Sequence, residues 1–148
     1  MTNHFHLLQP EAGQSLSRIL QSVTVAHTWR YHRQCRTVGH VRQGRFKSPV
    51  IQEEDHFLVV LRYLEANPLR AGMVQTLDDY PWSGYHSHGR GCADALLSEL
   101  PVAPRVRGDA EARQRWWRWW VRTPLTEKEL SAVRHSATSG RPRKAEQK

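Results

Sequence analysis

Between Ala12 and Gln52 the chain contains no Asp or Glu, yet Arg18, Arg30, Arg33, Arg36, Arg42, Arg45 and Lys47 all fall there, with His27, His32 and His40 among them. A segment built this way cannot neutralise its own charge by ion pairing. Whatever it folds into must keep its guanidinium groups in water or against a polyanion. A solvated face ordinarily mixes both signs, so backbone-phosphate binding is the favoured reading. The bias toward arginine supports it: 18 of the 22 basic residues are Arg, whose planar fork grips phosphate through two parallel hydrogen bonds.

The wider composition agrees. The 148 residues carry a formal net charge of +8, and 39% are hydrophobic, with six Trp. That is one domain's worth of chain, too apolar to be wholly disordered. The longest clean apolar run, Phe57 to Leu61, is five residues, far short of the roughly 18–20 needed to cross a bilayer. The first ten residues lack the charged and apolar regions of a secretory signal, so a cytoplasmic, nucleoid-associated protein is expected. Cys35 and Cys92, with no CxxC, support neither a disulfide framework nor a thiolate zinc site.

Apolar periodicity predicts a helix from Ser15 to about Tyr31 and another over Phe57–Ala66, the latter opened by Glu53, Glu54 and Asp55 and stopped by Asn67-Pro68 and Gly72. His4–Leu8 reads as a short buried strand and Gly39–Ile51 as strand or hairpin, with Pro10–Gln14 a loop between elements. Asp78–Gly91 is rich in turn residues. Asp109–Arg122 reads as a helix bearing four tryptophans, and Thr126 with Glu129 forms a capping box opening a last helix to Ala137.

Two imidazoles one residue apart on a strand point to one side while the intervening Phe5 enters the other, so His4 and His6 make half a metal site. An H-x-H alone is common by chance and needs a third ligand. Tyr63 and Asn67 lie at i and i+4 of the second helix, with His56 nearly on the same stripe. Taken separately, Tyr63 reads as a packed tyrosine and Asn67 as a helix stop. Beside a divalent cation, however, a phenol can attack phosphorus directly. Zinc held by His4, His6 and later histidines such as His86 and His88 is a third alternative.

The strings MTNHFHLL, GHVRQGRFKSPV, LRYLEANPLRAGMV and DYPWSGYHSHG, in this order and spacing, resemble the REP-associated tyrosine transposases, relatives of the single-tyrosine HUH transposases, over residues 2 to about 90. WVRTPLTEKELSAVRHSATSGRP is similar to a longer C-terminal region of some members. The resemblance implies an α/β (α+β) fold with an antiparallel sheet flanked by helices and the HUH strand central. Members usually carry several dozen residues before that strand, so the sheet is expected to be incomplete at the N-terminus. Residues 1–100 would form the partial catalytic domain, 101–138 a helical extension and 139–148 a disordered basic tail.

It further implies His4, His6 and Asn67 as ligands of a divalent metal, Mg or Mn, and Tyr63 as the nucleophile. The reaction would be strand-specific cleavage of single-stranded hairpin DNA through a 5′-phosphotyrosine, serving DNA transposition. Arg30, Arg33, Arg36, Arg42, Arg45 and Lys47 are the expected DNA contacts, with Arg45 and Lys47 sharing a face of the presumed strand. Trp29, Tyr31, Phe46, Trp82 and Tyr85 could stack on bases, although core packing is the commoner use of such residues. A homodimer is compatible with the reading. The alternative is a catalytically inactive basic DNA-binding remnant of such a transposase.

Overall fold

In a computed structural model, residues 1, 3–9, 15–42, 44, 46–98 and 108–138 are described, of 136–138 the backbone alone. They contain five α-helices and one 3₁₀ turn, and among them there is no strand. The antiparallel sheet flanked by helices is therefore corrected: the described fold is helical. His4–Leu8 and the described part of Gly39–Ile51 run as irregular chain without ladder partners. A lone apolar run satisfies its backbone as a strand only beside a second strand, and none is present among the described residues. The loop expected at Pro10–Gln14 and the tail at 139–148 lie outside the described residues.

The chain divides into two compact units, Phe5–Phe46 and a larger one of Met1–His4 with Lys47–Lys148. The smaller unit is dominated by α1 (Leu16–Cys35), which runs four residues past the expected end. Leu20 is its only buried residue among those described. The helix stops where Arg36 turns left-handed (φ 51°) and returns its N–H to the His32 carbonyl. The His32 ring secures this turn, with Nδ1 3.0 Å from the Thr37 hydroxyl and Nε2 3.0 Å from the Gly39 carbonyl.

The larger unit is built on α2 (Glu54–Arg70). Glu54 and Asp55 sit in its first turn, where the helix dipole favours negative charge. Pro68 lies inside the last turn rather than ending it, and the stop comes later. Met73 N–H bonds the Pro68 carbonyl at 3.0 Å around Gly72 (φ 65°), a Schellman closure that needs the left-handed residue.

A 3₁₀ turn (Leu77–Asp79) then drives Leu77 into the core, and α3 (Tyr85–Arg90) does the same with Tyr85, which has no exposed surface. The segment read as turns thus holds a short helix between Gly84 and Gly91. In α4 (Ala110–Arg122) the Asp109 carboxylate caps the Ala112 N–H at 2.8 Å. In α5 (Glu127–Thr138) the expected capping box forms: Thr126 N–H donates to Glu129 Oε2 at 2.7 Å, and Glu129 N–H returns to the Thr126 hydroxyl at 3.3 Å.

Helix α4 packs on α2 and α3, and α5 packs on α2. Val60, Leu61, Leu77, Tyr85, Trp117, Val121, Leu130 and Val133 make the core of this unit. Its indoles divide by role: Trp117 is buried, Trp116 and Trp120 stack with centroids 5.2 Å apart, and Trp119 is exposed. No helix among the described residues is long and apolar enough to cross a membrane.

Candidate functional site

Tyr63 and Asn67 are set one turn apart on α2, both half-buried, as the i, i+4 spacing predicts. The guanidinium of Arg70, two turns after Tyr63, lies 5.0 Å from the phenol ring centroid. A permanently charged group thus lies against the ring, a cation–π contact. Asn67 also serves the helix end, its carbonyl accepting the Ala71 N–H at 2.9 Å. His56 is half-buried near the start of the same helix.

The histidine pair is placed differently from expectation. His4 and His6 are exposed on irregular chain, so no pleat directs both rings to one side. His4 belongs to the larger unit, with Nδ1 2.7 Å from the Asn3 side-chain oxygen, whereas His6 belongs to the smaller. Among the described residues no group of three His, Cys, Asp or Glu could hold a metal ion. Asn67, on α2, belongs with His4 to the larger unit. Of the later histidines in the zinc alternative, His86 Nε2 lies 3.1 Å from the Tyr80 carbonyl oxygen and His88 Nδ1 lies 2.5 Å from Glu65 Oε1. Cys35 and Cys92 are both exposed and free.

The described residues among the expected DNA contacts lie on exposed surface. Arg30 and Arg33 project from α1, Arg36 occupies its left-handed end, and Arg42 lies over the Phe5 ring at 5.7 Å, all in the smaller unit. Lys47 is exposed in the larger unit, and Arg45 lies outside the described residues. Lys47 and its described neighbours 46–51 are not a strand, and the face expected to be shared with Arg45 lies in part outside the described residues. Of the aromatics considered for stacking, Trp29, Tyr31, Phe46 and Trp82 are exposed, whereas Tyr85 is core and is withdrawn from that role.

Sequence reasoning missed a buried polar cluster behind Tyr63. Glu65, 3% exposed, receives the Trp117 indole N–H at 2.7 Å on Oε2, and His88 Nδ1 lies 2.5 Å from Oε1. The His88 ring meets Trp117 edge-on, 5.2 Å between centroids. Arg62, also buried, bonds Glu129 and lies 5.1 Å over the Trp120 ring, tying α5 and α4 to α2.

The signal was present in the sequence. Glu65 follows Leu61 at i+4 and precedes Pro68 by three, on a stripe that helical periodicity assigns to the core. A charge on such a stripe demands buried partners. Two carboxyls are perturbed nearby. A hydrogen bond from Arg90 (2.7 Å) holds Asp78 below the usual range against its burial, with Arg122 adding at 3.6 Å. Burial pushes Glu129 up, but the Thr126 N–H and hydroxyl together with Arg62 outweigh it and leave the carboxyl low.

Comparison with protein-family models, curated proteins and solved structures finds no match to this chain, so its function is argued from its own residues and from the motif resemblance.

Proposed function

We propose that this protein is a transposase-type DNA nickase and strand transferase acting on single-stranded hairpin DNA, with Tyr63 as the nucleophile. The observation that carries the proposal is the half-buried Tyr63 with the Arg70 guanidinium against its ring and Asn67 one turn on, within the motif LRYLEANPLRAGMV. A phenol is a weak nucleophile at its ordinary acidity, and a neighbouring cation stabilises the negative charge that develops as it attacks.

In the proposed step the Tyr63 hydroxyl gives its proton to solvent water and its oxygen bonds to phosphorus in line with the departing 3′ oxygen. The P–O3′ bond breaks, the 3′ oxygen takes up a proton, and the 5′ phosphate stays on Tyr63. The phosphodiester energy is retained in the new ester, so the bond can be reversed or transferred. In this reading Arg70 holds a phosphate oxygen during attack, and the exposed arginines of the smaller unit bind DNA backbone. The motif resemblance implies Mg or Mn. His4, His6 and Asn67 are the ligands the resemblance implies, and such an ion would add positive charge beside the attacked phosphate.

The test is a denaturing gel after incubation with a hairpin-bearing single strand and Mn. Wild type should shift to a covalent adduct and Tyr63→Phe should not. A second reading, DNA binding without cleavage, is favoured by the irregular chain at His4–Gln9. It is selected by salt-dependent binding that is unchanged in His4→Ala, with no adduct under any divalent metal.

A further inference from the structure

Helix α1 is exposed over most of its surface, and one stripe of it combines cations with an aromatic ring. Arg18, Ser22, Val25, Trp29 and Arg33 follow one another at three- and four-residue steps, so they share a face over about 22 Å. All five are exposed. Trp29 belongs to an open, mainly apolar patch on α1 that includes Val25, Ala26, Arg30 and Arg33. The indole is 64% exposed, in a chain that buries Trp117 almost completely, and the Arg33 guanidinium sits 5.3 Å over its ring.

We propose that Trp29, with Arg33 above one part of its ring, is a stacking platform for an unpaired base of single-stranded DNA, with Arg30 on an adjacent phosphate and Arg18, about 16 Å along the helix, on one farther down the strand. The occupant follows from charge. The helix offers four guanidiniums when Arg18, Arg30, Arg33 and its terminal Arg36 are taken together, and no carboxylate. A flat ring flanked by cations matches a ligand whose apolar faces alternate with phosphates. A purely apolar partner would leave the guanidiniums unpaired, and a duplex, whose bases are stacked on one another, offers Trp29 nothing to cover. The inference deepens the proposed function by naming a contact to its DNA, and it does not depend on cleavage.

The experiment is equilibrium binding of a fluorescent twelve-residue oligothymidine and of a blunt duplex, in EDTA, by the full chain carrying Tyr63→Phe. Trp29→Ala should weaken the single strand about tenfold while changing duplex affinity less than twofold, and Trp29→Phe should recover part of the loss. The salt dependence should keep its slope in Trp29→Ala and lose about 0.7 in Arg30→Gln. Circular dichroism verifies that the helical content of each variant is retained.

Unchanged single-strand affinity in Trp29→Ala overturns the platform while leaving the nickase reading standing. Absence of any DNA binding overturns both. Tighter binding of the matching RNA, or self-association that Trp29→Ala abolishes without affecting DNA, reassigns the face to that partner and overturns the proposal.

Discussion

The Trp117 indole N–H donates to the Glu65 carboxylate at 2.7 Å, joining the tryptophan-rich helix to the helix that carries Tyr63. The acceptor is 3% exposed, so removing its donor leaves a carboxylate oxygen that water reaches poorly. Trp117→Phe keeps most of the ring volume and deletes the N–H. It should lower stability by about 1–3 kcal/mol, read as a shifted urea midpoint at constant slope. A change under about 0.5 kcal/mol would mean that the contact is dispensable.

Glu129 serves two partners, capping α5 through Thr126 and pairing with the buried Arg62. Glu129→Ala removes the cap and strands a guanidinium, and with Glu129 itself partly exposed the expected loss is about 1–3 kcal/mol. Arg62→Met, which removes the charge while filling the space, should cost less than Glu129→Ala. Thermal denaturation of the two variants gives the order, and the reverse order refutes the assignment.

Asp78 and Glu129 both have folded-state values below their ordinary ones, so each contributes stability above the ordinary carboxylate range and loses it as pH falls through the folded value. Stability should therefore decline on acidification below that range. The decline should be shallower in Asp78→Asn and in Glu129→Gln than in wild type, measured by denaturant titration at several acidic pH values. Equal slopes in all three proteins would show that these carboxyls are not coupled to folding.

Gly72 and Gly91 both adopt left-handed backbone, at φ 65° and 72°, but their surroundings differ. A Cβ at Gly72 meets open space, whereas one at Gly91 would collide with the Gln114 side-chain amide on α4. Gly72→Ala should cost about 1 kcal/mol from backbone strain alone, and Gly91→Ala more, because Gln114 must also move. Melting temperatures of the two variants provide the comparison, with Gly91→Ala expected to melt lower.

The helices were legible because each carries local signals: apolar spacing in α1 and α2, the Asp109 cap and the Thr126–Glu129 box. The sheet was not. His-Phe-His-Leu-Leu has strand character, yet a strand is completed only by a partner elsewhere in the chain, and no such partner occurs among the described residues. Tyr63 and Asn67 were placed correctly on one helical face because i, i+4 geometry is local. Their relation to His4 and His6 required long-range pairing, which local pattern does not specify. The same distinction explains why Glu65 was overlooked, since its partners His88 and Trp117 lie 23 and 52 residues away.

The central claim concerns one oxygen atom. Digestion of the protein after reaction with a hairpin-bearing single strand and Mn, followed by mass spectrometry, should recover a nucleotide phosphate on the peptide containing Tyr63 and on no other peptide. Recovery on a different tyrosine or a serine, or an unmodified Tyr63 peptide alongside a cleaved strand, would contradict the account.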